Sequence, residues 1–172
     1  ATAGISIEHA LTAFSTRNPS IAKDQIDKLE STYKNYTDLY KKNLKSYLKG
    51  YDGTFRSKNI NELVRSIEKT AKDSGDLVQL LAGVFSLWTI MTSEEMFRET
   101  NDSACLISPH VVQLIAIFRL LGLDKSTSIM SSILNRLTGS LNIGSHLIEV
   151  GTGEGKSILL GGLSCVLALL GF

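Results

Sequence analysis

The run Val150-Gly151-Thr152-Gly153-Glu154-Gly155-Lys156-Ser157 gathers three alternating glycines, a lysine and a hydroxyl within eight positions. Glycines allow successive backbone N–H groups to turn inward and form a concavity that fits a phosphate. A helix opening at Lys156 adds the amides that its first turn leaves unpaired, together with the positive end of its dipole. The Lys156 ammonium can then reach the outer phosphates of a nucleotide, and the Ser157 hydroxyl is placed to coordinate Mg²⁺. Thr152, Gly153, Glu154, Gly155, Lys156 and Ser157 are therefore the candidate nucleotide-binding residues, with ATP and Mg as the expected cofactors. Glu154 reads as a solvated loop residue, and no residue of the chain is expected to be catalytic.

The expected context is a strand before the loop and a helix after it. Ser145 to Val150 is short and partly β-branched between Gly144 and Gly151, which predicts a strand, and the apolar residues after Ser157 keep helical spacing. The standard phosphate-loop pattern, Gly-x4-Gly-Lys-[Ser/Thr], asks for glycine where this chain has Val150. From Thr152 onward the loop is similar to that of many superfamily 2 helicases. The run from Glu149 to Ser157 resembles motif I of the SecA preprotein-translocase ATPase, where a bulky apolar residue also occupies that first position.

A second segment carries the same resemblance. Pro109-His110-Val111-Val112-Gln113-Leu114-Ile115 looks like the stretch upstream of the loop in SecA-like and DEAD-box motors. There a Gln reads the adenine edge, because an amide offers both a donor and an acceptor. Gln113 is the matching position, and Phe97-Arg98-Glu99 sits where SecA carries a similar Arg–Glu pair. The resemblance covers about residues 94–172, and its spacing is wider than in the family, with Gln113 and Lys156 43 positions apart. The extra residues, around 123–145, read as an inserted helix.

Periodicity over the first part and the resemblance over the second together predict a mainly α chain in two parts. A helical bundle of unassigned role, residues 1–93, would lead into the first strand, P-loop and helix of an α/β, RecA-like nucleotide-binding domain, residues 94–172. The resemblance implies an ATP-binding segment of a motor that moves a polypeptide, with nucleic acid the weaker expectation. Its partners would be nucleotide, the remainder of its own motor domain and a polypeptide cargo. The Walker B strand and arginine finger of such motors have no counterpart here, and no Asp or Glu follows Glu154, so this segment of a longer protein should bind ATP without turning it over. Val150 and the wide spacing favour an alternative, a helical protein–protein interaction module with a degenerate P-loop.

The elements that must position these residues follow from periodicity. Asn18-Pro19 predicts the start of a long helix whose stripe of Ile26, Leu29, Tyr33, Tyr36, Tyr40, Leu44 and Tyr47 runs to about Lys49. Asn59 and Glu62 predict a capping box opening a second helix that ends near Gly75. Asp76 caps a third, apolar on nearly all sides to Met91, with Ser93 to Glu95 as a separate turn. Further helices are expected over 109–121, 126–137 and 156–170.

Composition bounds the rest. The chain has 172 residues, 43% hydrophobic and 20% charged, with a net charge of +1, so it can fill a core and carries no overall bias towards polyanions. Lysines beside the tyrosine stripe could serve single-stranded nucleic acid, but helix packing accounts for the tyrosines more simply. Cys105 and Cys165 are expected as buried free thiols, which suits a reducing, cytoplasmic compartment. The most apolar runs, 77–91 and 158–172, fall short of the roughly 20 residues that span a bilayer, so no membrane span is expected.

Overall fold

The computed structural model describes residues 5–48, 57–100, 102, 105–125 and 155–172. Among these, six helices are present: α1 (Ile7–Arg17), α2 (Lys23–Leu48), α3 (Ser57–Asp73), α4 (Leu77–Thr100), α5 (Val111–Leu120) and α6 (Lys156–Leu169). They divide between two compact units. The first comprises Ala1–Lys34 and His110–Leu159, the second Asn35–Pro109 and Leu160–Phe172.

No strand occurs among the described residues. The expected α/β, RecA-like domain is therefore corrected to an all-helical architecture for the described part of the chain. In such a domain the helix after the loop lies against parallel strands. Among the described residues, α6 meets helices. In the first unit Gly155, at its start, lies against Gln113 of α5, and in the second unit Gly162 lies against Phe85 of α4. The expected strand over 145–150 and the expected helix over 126–137 lie outside the described residues.

In the first unit α1 packs on α5. The apolar side chains Ala10, Leu11, Leu29, Leu114, Ile115, Ile117 and Phe118 are all buried. Helix α1 was not expected. It opens on Ser6, whose hydroxyl accepts from the His9 N–H, and closes on Asn18, whose N–H and side-chain amide both donate to the Phe14 carbonyl. Asn18 thus ends α1 and does not begin α2, because its short amide can satisfy the orphan carbonyls of a C-terminus as readily as the amides of an N-terminus.

In the second unit α3 packs on α4. Asp76 caps α4 as expected, its Oδ1 accepting from the N–H groups of Val78 and Gln79 at 2.9 and 3.0 Å. The helix does not stop at Met91 but runs on to Thr100. Several of its polar residues find partners within the helix or just beyond it. The Thr92 hydroxyl donates to the Trp88 carbonyl, Ser93 is buried and accepts from the Ile107 N–H at 2.7 Å, and Arg98 pairs with Glu94 one turn back at 2.6 Å. At 24 residues α4 is the one helix among the described residues long and apolar enough to cross a membrane, and half of its most apolar window is buried. Helix α3 begins at Ser57, two residues ahead of the expected cap at Asn59.

Two tyrosines of the α2 stripe spend their rings on this interior. Tyr36 stacks on Tyr40 and meets Phe85 edge-on, and the Tyr40 hydroxyl shares a hydrogen bond of 2.7 Å with Thr89. Lys34, Lys41, Lys42 and Lys45 are exposed. Both cysteines are free thiols, but Cys165 is exposed and Cys105 half-buried, where burial was expected.

Candidate functional site

Gly155 is the residue from which α6 starts. Its carbonyl accepts from the N–H groups of Ile158 at 3.0 Å and Leu159 at 3.3 Å. Its φ of +71° lies in the left-handed region, which costs a residue with a Cβ about 1–2 kcal/mol. The amides of Lys156 and Ser157 come before any carbonyl the helix can offer them, so they and the helix dipole favour an anion at this end. Both side chains are exposed, and the first turn holds no acidic residue to oppose a phosphate.

Gln113 sits one turn into α5 and is only 2% exposed. Its Oε1 accepts from the His110 N–H at 2.9 Å, so the side chain folds back on the start of its own helix. The other end of the amide faces Gly155: a Cβ there would stand 2.4 Å from Nε2. Of the residues singled out in the sequence, the structure therefore brings together Gln113, Gly155, Lys156 and Ser157, all within the first unit. Thr152, Gly153 and Glu154 lie outside the described residues.

The donor set for Mg²⁺ is thin. Ser157 supplies one oxygen, whereas the ion takes near-octahedral oxygen ligands and commonly keeps several waters. Nucleotide phosphates and water would have to complete the shell. Among the described residues no group of three or more His, Cys, Asp or Glu side chains is gathered for a metal.

A second cluster escaped the sequence reading. Asp124 is 2% exposed, and its Oδ2 accepts from Arg119 Nη1 at 2.5 Å and from Gln25 Nε2 at 3.1 Å. The Arg119 guanidinium also lies over the Phe14 ring, 5.6 Å from its centroid. The Thr32 hydroxyl donates to the Leu123 carbonyl at 3.5 Å. These bonds tie the end of α5 to α2, so α5 is held at both ends, by Asp124 at one and by the Gln113–Gly155 approach at the other. Arg119 and Asp124 flank Gly122, whose φ of +69° ends α5, and that proximity was readable. Gln25 is 99 positions from Asp124, and nothing local announces it.

The second unit contains an apolar groove of about 430 Å³ lined by Val64, Ile67, Val84, Leu87 and Cys165, with Glu68 as its charged side chain. It offers no cation to a polyphosphate. The start of α6 therefore remains the candidate site. No family model, curated protein or solved structure matches the chain.

Proposed function

We propose that the glycine loop ending at Gly155, with Lys156, Ser157 and Gln113, is the phosphate-binding part of an ATP site. The observation that carries this is the approach of Gln113 to Gly155. Two motifs 43 positions apart were paired in the sequence by their resemblance to SecA-like motors, and Gln113 of one lies beside Gly155 of the other. An exposed Lys156 at a helix N-terminus adds a mobile cation to fixed amide donors, which is the chemistry a triphosphate needs. Mg²⁺ would arrive with the nucleotide, Ser157 adding one oxygen to its shell. In a longer protein, binding of this kind would be coupled to moving a polypeptide, a reading that rests on the motif resemblance. This chain should bind without hydrolysing, because a group that orients water and a cation that stabilises the transition state are both needed for turnover.

Calorimetric titration with Mg-ATP tests the proposal. Wild type should bind, and Lys156→Ala should bind at least about tenfold more weakly, the loss of one charge-assisted contact. The melting temperature without nucleotide should not change, since Lys156 is exposed and packs into no core. Equal binding by the two proteins, or none by either at millimolar nucleotide, would overturn the proposal and leave the helical interaction module in its place.

A further inference from the structure

We propose that the apolar groove of the second unit binds a small amphiphile with a cationic head, of the alkylammonium class, and lays that head against Glu68. The proposal is independent of the phosphate site, whose described residues belong to the first unit. Three helices make the groove within one unit. Val64 and Glu68 come from α3, Val84 and Leu87 from α4, and Cys165 and Ala168 from the part of α6 beyond Leu159. Beneath them α3 and α4 approach closely, because a Cβ on Gly83 would stand 2.6 Å from Ile67 Cγ1. Ile67 is buried there, whereas Val64, Val84 and Leu87 are half-buried and keep apolar surface free above it. On the α6 side a thiol and a methyl are short, and both residues are exposed. The wall they make is low, and the groove stays open.

Size and charge select the occupant. A volume of about 430 Å³ lies within the span of about 300–1,000 Å³ of small-molecule sites, which are mostly apolar with a few polar groups that fix orientation. A folded partner uses about 20–30 residues a side, and eight described residues line this groove. Of those eight only Glu68 is charged. Among the described residues no ion pair or hydrogen bond holds its carboxylate. Lys69 and Lys72 follow it on α3 but do not line the groove. A fatty acid or a phosphate therefore finds no cation among the described lining residues, while an ammonium finds an anion. The alkyl body gains by leaving water along Val64, Val84 and Leu87, and Glu68 decides the sign of the head.

Cys165 lines the groove and Cys105 does not, so alkylation of the Cys165 thiol reports occupancy. The Cys105→Ser chain is treated with a maleimide at pH 7 beside decyltrimethylammonium or decanoate, each below its micellar concentration. Decyltrimethylammonium should slow alkylation at least about fivefold at saturation. It should half-protect at a concentration about fivefold or more below that of decanoate, since an exposed carboxylate attracts one head and repels the other. Glu68→Gln should shrink that ratio to within about twofold. Ala168→Phe, which fills the groove from its exposed rim, should abolish protection by either compound; should it fail to fold, Glu68→Gln decides. Equal protection by the two compounds, no protection by either, or a ratio that survives Glu68→Gln would overturn the proposal. Faster alkylation, the sign of an amphiphile that opens the chain, would also overturn it. Protection that grows with protein concentration alone would give the groove to a second copy of the chain and overturn it too.

Discussion

A Cβ on Gly155 would lie 2.4 Å from Gln113 Nε2, closer than side-chain atoms come to one another. The position also carries a φ of +71°. The left-handed backbone calls for glycine at the start of α6, and an added Cβ would also have to displace the buried Gln113 amide.

Gly155→Ala should meet both. The left-handed conformation and the displaced amide together should destabilise the chain by about 1–3 kcal/mol in urea denaturation. Removing the amide should relieve the steric part only. The double variant Gly155→Ala/Gln113→Ala should therefore be less destabilised than the sum of the singles, by about 0.5 kcal/mol or more. Strict additivity would mean that the two residues do not press on each other.

The Arg119–Asp124 pair should respond asymmetrically. Asp124 is 2% exposed and Arg119 27%. Arg119→Ala strands a buried carboxylate that keeps only Gln25, and should cost about 3–5 kcal/mol. Asp124→Ala leaves a guanidinium that can turn to water while keeping its place over Phe14, and should cost less, about 1–2 kcal/mol. Equal losses in denaturant titrations would show that the carboxylate is not stranded and that water reaches it.

These contrasts mark what could be read in the chain. Asp76 was legible as a cap because its partners, Val78 and Gln79, are two and three residues away. Gln113 and Gly155 were legible as members of two motifs, but their contact depends on how α5 and α6 pack and is absent from either motif taken alone. The length of α4 was misread because polar Ser93 looks like a break until its bond to the Ile107 N–H is seen. Helix α1 escaped because Asn18 can cap either kind of helix end, and the Pro19 beside it argued for a start. The α/β expectation came from the motif's usual surroundings, whereas the described residues that Gly155 and Gly162 lie against, Gln113 and Phe85, belong to helices. Asp124 with Gln25 had no signal at all, since 99 residues separate them.

Tyr40 should make stability depend on alkaline pH. Burial pushes its phenol above the ordinary 10.0, against the smaller opposing effect of the Thr89 hydrogen bond. The folded chain then holds the proton more tightly than the unfolded chain. The contribution is intact below about pH 10 and is lost as pH rises through the raised folded value. Tyr40→Phe should cost about 1–2 kcal/mol at pH 8, because the buried Thr89 hydroxyl loses its partner. The gap between variant and wild type should then narrow above pH 10. A constant gap in urea midpoints from pH 8 to 11 would count against the buried phenol.

Adjacent glycines in α6 should respond to alanine with opposite signs. In a helix, alanine is favoured over glycine by about 1 kcal/mol when nothing else changes. At Gly161 nothing lies within 4 Å of the added Cβ, so Gly161→Ala should stabilise by about 0.5–1 kcal/mol. At Gly162 the Cβ would meet Phe85 Cζ at 2.4 Å and two further ring carbons at 2.9 and 3.1 Å. That ring is 1% exposed and contacts Tyr36 and Trp88 edge-on, so it cannot swing aside. Overpacking of this kind costs about 1–3 kcal/mol, more than the helical gain, and Gly162→Ala should be net destabilising. Phe85→Leu, which shortens the ring side, should reverse the sign of the Gly162→Ala effect even though it lowers stability by itself. Urea denaturation of the four proteins reads both effects. If Gly161→Ala and Gly162→Ala stabilise alike, α6 does not pack against Phe85 through Gly162, and that helix-on-helix contact would have to be redrawn.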